Sequence, residues 1–229
     1  FLIGITGNLE DCKTVKEDIK NYLKEALKLE LSDEKTLITN AQKPAKFLGF
    51  DIFIRRSNDL RKDINGKTIR SLGHVPVLYL NYETMRKKLF DYKAARIAVE
   101  NGKEIWKSIV RTYMIDLDDL EIVSQFNAEI RGFYNYYSIA NNSPAINSFY
   151  HIMSYSMYKT FARKYKSSVK KILFQYKKDG TFKVAYENSK GKTLYQSFYH
   201  DGFKRKKIAG ATSCDTIPRT VTITGGRNS

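Results

Sequence analysis

Between Glu129 and Asp179 the chain carries no acidic residue, although Arg131, Lys159, Arg163, Lys164, Lys166, Lys170, Lys171, Lys177 and Lys178 all fall there. A field of one sign repels itself unless a polyanion neutralises it. Phosphates do so with release of counterions, which makes nucleic acid the partner this stretch fits best. An anionic membrane surface would offer similar charge. Tyr and Phe are interleaved with the cations, however, and flat rings stack on bases. Charge runs are often only a solvated face, but such faces usually mix signs. A second cluster, Lys204-Arg205-Lys206-Lys207, reads as part of a loop. The imbalance belongs to one half of the chain: residues 1–129 hold 22 Lys+Arg against 20 Asp+Glu, whereas residues 130–229 hold 18 against Asp179, Glu187, Asp201 and Asp215 alone.

Other chemistries find little support. Cys12 and Cys214 lie far apart, and His74, His151 and His200 are scattered, so neither a disulfide framework nor a zinc site is readable. A reducing, intracellular setting is expected, the bacterial cytoplasm ahead of an organelle. A tyrosine nucleophile for DNA strand transfer would need Arg and His gathered around one Tyr, which the scattered histidines do not provide. The longest apolar runs, residues 1–5 and 75–80, fall far short of the roughly 20 residues of a membrane span, and no signal peptide is readable. With 229 residues, 42% of them hydrophobic, the chain can bury a core. It opens at Phe1, inside an apparent strand, and is expected to be a piece of a longer protein.

The elements that must position the cations follow from periodicity. Residues 1–5 read as a buried strand, followed by the turn and helix cap Gly7-Asn8. Residues 9–29 carry apolar positions at three- and four-residue steps, an amphipathic helix. Residues 36–39 and 47–54 read as strands on either side of a turn at 40–44. The basic stretch 55–70, with Asn65-Gly66, reads as an exposed hairpin or loop. Residues 82–99 are a predicted helix ended by Asn101-Gly102, and residues 116–140 a second. Ser143-Pro144 opens a third, which runs to about residue 178 on a stripe that includes Phe149, Met153, Met157, Phe161, Tyr165, Val169, Ile172 and Tyr176. As one rod it would be roughly 50 Å long at 1.5 Å per residue, with its cations mainly off the packed stripe. Residues 181–199 alternate as a hairpin about Lys190-Gly191.

Several blocks resemble, in order, the group II intron-encoded reverse transcriptases. Phe1-Leu2-Ile3-Gly4 looks like the strand after the polymerase's Tyr-Ala-Asp-Asp turn. Leu31-Ser32-Asp33-Glu34-Lys35-Thr36 is similar to the block that ends the palm helix, and Phe47-Leu48-Gly49-Phe50 to the primer-grip strand. Gly132-Phe133-Tyr134-Asn135-Tyr136-Tyr137 with Asn141, then Ser156-Met157-Tyr158-Lys159-Thr160-Phe161-Ala162-Arg163-Lys164-Tyr165-Lys166, match the maturase X region, which is also the polymerase thumb. This last pair is the most specific, and the resemblance fades after about residue 180.

The resemblance implies an α+β fold: a palm remnant of short antiparallel strands and one helix in residues 1–75, a three-helix thumb in 76–179, and a small β-rich basic tail in 180–229 leading toward a DNA-binding region. It implies a parent that is an RNA-directed DNA polymerase and splicing cofactor, active in intron homing. The partners would be group II intron RNA, a DNA target, the RNA/DNA template-primer duplex, and a companion N-terminal half. Mg²⁺ is expected for the complete polymerase, held chiefly by aspartates. Two of these would precede Phe1, so no catalytic or metal-ligating residue is assigned here, and nuclease activity is not expected of this chain.

Lys35 would lie near nucleotide phosphates, unless it is a solvated lysine after a helix end. Phe47, Leu48 and Gly49 would form the primer grip, the two side chains serving as core and the Gly49 backbone as the point of close approach. RNA contacts would come from Arg131, Tyr134, Asn135, Tyr137, Asn141, Lys159, Arg163, Lys164, Lys166, Lys170, Lys171, Lys204, Arg205, Lys206 and Lys207. Tyr134, Tyr136 and Tyr137 cannot share one helical face, so at least one must be core. Asn135 and Asn141 could equally bond helix ends. The runner-up function is a stand-alone RNA-binding splicing factor without polymerase activity. If six to ten phosphates are contacted, RNA affinity falls by about 10³ to 10⁵ between 50 and 200 mM salt; a filter-binding titration across that range checks this.

Overall fold

The computed structural model describes residues 1–56, 60–62, 65–70 and 75–206. Asn8 caps α1 (Leu9–Ala26): its side chain accepts from Asp11 N at 3.0 Å, and Asp11 Oδ2 accepts from Asn8 N at 2.8 Å. Two first-turn donors are thereby satisfied reciprocally. The stripe Val15, Ile19 and Leu23 is only half covered, and no α1 residue is buried. Lys16 and Lys20, one turn apart, grip Asp33 at 3.2 and 3.1 Å and fasten the segment that follows.

β1 (Ala45–Phe47) and β2 (Phe50–Arg55) form a hairpin, and β3 (Leu60–Lys62) pairs with β4 (Thr68–Arg70). β5 (Val75–Leu80) returns antiparallel along β2, giving the sheet order β1-β2-β5. Next come α2 (Tyr82–Asp91), a hairpin of β6 (Ala95–Glu100) and β7 (Lys103–Ser108), α3 (Asp119–Tyr137), α4 (Ile146–Lys164) and α5 (Val169–Tyr176). β8 (Lys177–Lys178), β9 (Thr181–Glu187) and β10 (Thr193–Ser197) follow as a sheet of order β10-β9-β8. The architecture is thus mixed α and β, with five α-helices and small antiparallel sheets among the described residues.

One hydrophobic core runs from Phe50 to Phe203, so it draws on all three expected segments. α3 and α4 supply its centre: Ile122, Phe126, Ile130 and Phe133 pack with Phe149, Met153, Met157 and Phe161, all buried, and the Phe133 and Phe149 rings stack at 4.1 Å. Each such side chain contributes about 1.5–3 kcal/mol on burial, so this helix pair dominates the packing. Asn141 and Asn142, after α3, stitch the first sheet to the helices. Asn141 Oδ1 accepts from Leu78 N at 3.0 Å and Asn142 Oδ1 from Leu80 N at 2.7 Å, while Asn142 Nδ2 donates to Leu80 O at 3.1 Å. The two amides act on β5 as a neighbouring strand would.

The chain departs from the periodicity reading in several places. Residues 1–5 are not a buried strand: Phe1, Leu2 and Ile3 are exposed, and among the described residues no strand pairs with them. Segment 36–39 is likewise irregular, and Leu37 is exposed. Segment 47–54 is two strands, because Leu48 (φ 51°) and Gly49 (φ 78°) form a two-residue turn of the hairpin type. The helix expected over 82–99 stops at Asp91, where Lys93 adopts φ 52°. Asn101-Gly102 (φ 52° and 74°) is then a hairpin turn rather than a helix end.

The expected long rod is also broken, and α3 starts at Asp119 rather than 116. Lys166 turns left-handed (φ 46°), Ser167 N donates to Ala162 O at 2.8 Å and Lys166 N to Arg163 O at 3.2 Å, a Schellman termination of α4. Ser168 Oγ then accepts from Lys171 N at 3.3 Å and caps α5. A capping serine beside a left-handed lysine ends the rod although the apolar stripe continues through it. The hairpin expected within 181–199 forms as β9 and β10. Lys207 and residues 208–229 lie outside the described residues.

Gly49 has a specific reason to be glycine. A Cβ there would lie 2.5 Å from Tyr137 Oη, and its φ is left-handed. Gly49→Ala is expected to destabilise the protein by about 2 kcal/mol or more through these two effects, lowering Tm by roughly 4–8 °C, as thermal denaturation would measure.

Candidate nucleic-acid interface

The α4–α5 corner is built on a carboxylate. Asp119, in the first turn of α3, accepts from Lys164 Nζ at 2.7 Å, from Tyr165 Oη at 2.8 Å and from Tyr176 Oη at 2.8 Å. Its side chain and that of Lys164 retain 17% and 19% exposure, so the pair is largely shielded from water. Lys164 Nζ also donates to Leu117 O at 2.6 Å. Burial, reinforced by bonding to Tyr165 and Asp119, holds the Tyr176 hydroxyl well above the usual tyrosine range, so it remains a donor. The Tyr176 ring stacks on Phe182 at 5.2 Å, and Ile172 is buried. Helix α5 therefore faces inward with Ile172 and Tyr176, and outward with Lys170, Lys171 and Phe174.

Arg163, Lys166, Lys170 and Lys171 are all exposed about this corner, and among the described residues their side chains make no ion pair or hydrogen bond. Lys170 and Lys171 occupy the first turn of α5, which carries no acid. A cation at that end opposes the helix dipole by about 0.3–1 kcal/mol, an arrangement that an incoming anion would relieve.

The remaining sequence-predicted residues have other placements. Lys159 Nζ is committed to Ser108 O at 2.7 Å, and Lys164 to Asp119, so both brace the fold. Tyr134 and Tyr137 are buried at 2% and 7% exposure, leaving neither ring free to stack on a base. Tyr134 Oη instead donates to Lys204 O at 2.8 Å, so this tyrosine, expected to contact RNA, is a bonded core residue. Tyr136 is the exposed one, with its hydroxyl on Leu48 O at 2.9 Å. Asn141 is the amide stitch on β5, whereas Asn135 is exposed.

Arg131 lies over the Tyr199 ring at 4.9 Å. Arg205 Nε donates to Ile139 O at 3.0 Å, and Lys206 Nζ sits 4.7 Å over the Tyr134 ring; Lys204 is exposed. Lys35 is exposed in the turn that begins at Ser32. Phe47 is half-buried, Leu48 exposed, and the close approach at Gly49 is to Tyr137. The 204–206 segment thus holds the C-terminal end of α3 and the α4–α5 corner its N-terminal end, roughly 28 Å apart at 1.5 Å per residue over 19 residues.

Two residues escaped the sequence reading. Arg111 is 1% exposed, 2.7 Å from Glu129 Oε2 and 4.0 Å over the Phe126 ring. The ion pair is close but not aligned as a hydrogen bond, and Arg111 Nε has no partner. Burial of this pair makes it a structural element whose disruption leaves an uncompensated charge. The other is Phe174, 92% exposed. Its signal was present, since it falls off the stripe that joins Val169, Ile172 and Tyr176.

No metal centre accompanies this surface: among the described residues no three His, Cys, Asp or Glu side chains gather as ligands. Nor is any described helix long and apolar enough to cross a membrane.

Residues 81–212 match the model of the type II intron maturase family. The chain is 38% identical over 193 residues to the group II intron-encoded protein LtrA of Lactococcus lactis subsp. cremoris, covering 84% of this chain and 32% of that protein. It is 34% identical over 178 residues to the COX1/OXI3 intron 1 protein of Saccharomyces cerevisiae, covering 72% of this chain and 20% of that protein. The COX1/OXI3 intron 2 protein of the same yeast is 28% identical over 186 residues, covering 78% and 21%. The chain therefore spans a third or less of the length of these relatives.

Asp119→Ala removes the acceptor shared by three donors and strands Lys164 in a largely shielded site. Bonds to a charged acceptor contribute about 1.5–3 kcal/mol each, not additively, so a loss of about 3 kcal/mol is expected. Urea denaturation measures it, and a midpoint equal to that of the parent chain would show that the corner is held by packing alone.

Proposed function

Since the chain belongs to the type II intron maturase family, we propose that it binds group II intron RNA through the α4–α5 corner and so supports the fold in which the intron splices. The observation that carries this reading is the set of four unengaged cations, Arg163, Lys166, Lys170 and Lys171, inside a stretch of chain without any acid. Maturase relatives are encoded by introns, which supplies an RNA as the natural polyanion. Shape and backbone contacts dominate recognition of paired RNA, and a corner bearing exposed ammonium and guanidinium groups suits that mode.

The same surface would serve an RNA/DNA template-primer duplex in a longer, RNA-directed DNA polymerase, since both duplexes present phosphate rows. Lys35 and the 47–49 turn would then contribute to the polymerase part, together with a companion region. The steps proposed for this chain are binding and positioning.

Arg163→Glu/Lys170→Glu/Lys171→Glu is the decisive variant, because none of these side chains braces the fold. Its affinity for group II intron RNA at low salt should fall at least about 100-fold, since three counterion-releasing contacts are lost and three repulsions added, while its Tm stays within a few degrees. Unchanged RNA binding by gel shift would refute the assignment of this corner.

A further inference from the structure

Phe174 is the described side chain that the packing explains least. Its ring is 92% exposed, and among the described residues it meets no other ring and no cation. The inner face of α5 is already filled by Ile172 and Tyr176, so Phe174 is not a displaced core residue. It points outward on the same helix as Lys170 and Lys171, four and three residues earlier. At those spacings the Cβ atoms lie about 5–6 Å apart, which sets a flat apolar ring beside two free ammonium groups.

That combination discriminates among partners. An apolar protein surface covering Phe174 would also strip water from two unpaired lysines, which is costly without anions. An acidic surface would satisfy the lysines but offer the ring nothing. A nucleotide presents both halves, a phosphate for the lysines and a π-face for the phenyl ring. In a continuous duplex the faces of the bases are hidden in the stack, whereas a loop or bulge exposes them. We propose that Phe174 is a stacking platform for an unpaired base of the bound RNA, so that the α4–α5 corner prefers a looped or bulged site to an unbroken duplex. This rests on the RNA-binding reading of that corner and adds the feature of the RNA that it selects.

The test compares a stem–loop RNA and a blunt RNA duplex of equal phosphate count, both titrated with the full chain. Stacking on an aromatic side chain is worth enough for Phe174→Ala to weaken stem–loop binding by about tenfold. Duplex affinity and the slope of log affinity against log salt should stay unchanged, because no phosphate contact is removed. Phe174→Trp should restore stem–loop affinity and Phe174→Leu should not, which separates stacking from generic apolar contact. Equal stem–loop affinity for Phe174→Ala and the parent chain, or an equal loss on both RNAs, would overturn the stacking role and leave the cationic surface standing. Failure of the parent chain to bind either RNA would overturn both.

Discussion

The Asp119 carboxylate collects an ammonium and two phenol hydroxyls from parts of the chain 45, 46 and 57 residues away. An ionised carboxylate is acceptor-only with about four lone-pair sites, so it can saturate three donors without a mismatch. Its place in the first turn of α3 adds the favourable end of that helix's dipole. These contacts pin the last turn of α4 and the end of α5 to the start of α3. With Tyr176 held inward and Ile172 in the core, helical geometry leaves Lys170, Lys171 and Phe174 no direction but outward. The exposed chemistry of the corner is thus a consequence of an interaction on its hidden side.

The cations divide by the partner each finds. Lys159 and Lys164 spend their charge on carbonyls and a carboxylate, and Arg111 on Glu129 inside the core. Breaking such contacts costs folding free energy. Arg163, Lys166, Lys170 and Lys171 have no such partner among the described residues. In water each would be worth only about 1 kcal/mol against a phosphate at 4 Å, so the binding proposed for them would be collective and would rest on counterion release. The basic residues at 204–206 belong to the other end of α3, which makes two separated patches of what looks like one field in the linear chain.

Much of this was legible beforehand. The charge asymmetry, the capping chemistry at Asn8, the apolar stripe of α4, the 181–199 hairpin and the X-region blocks were all readable from residue types and spacing. Two of the errors share a cause. Leu48 and Lys166 adopt left-handed backbone that neither residue favours, so the turn within 47–54 and the break in the rod carried no local signal strong enough to override the apolar pattern. At Asn101-Gly102 the signal was present, but the alternation of residues 95–100 lost out to a helical pattern begun at Tyr82.

Composition and periodicity could state that the chain holds a basic, acid-free, aromatic-rich helical region, because charge and stripe are properties of the linear chain. They could not say which lysines remain free or which tyrosine of the 134–137 block faces water. Those outcomes depend on Asp119, Ser108, Leu48 and Lys204 arriving from distant parts of the chain to claim some donors and leave others. A hydrogen bond is settled by the position of both partners, and only folding brings such partners within 3 Å.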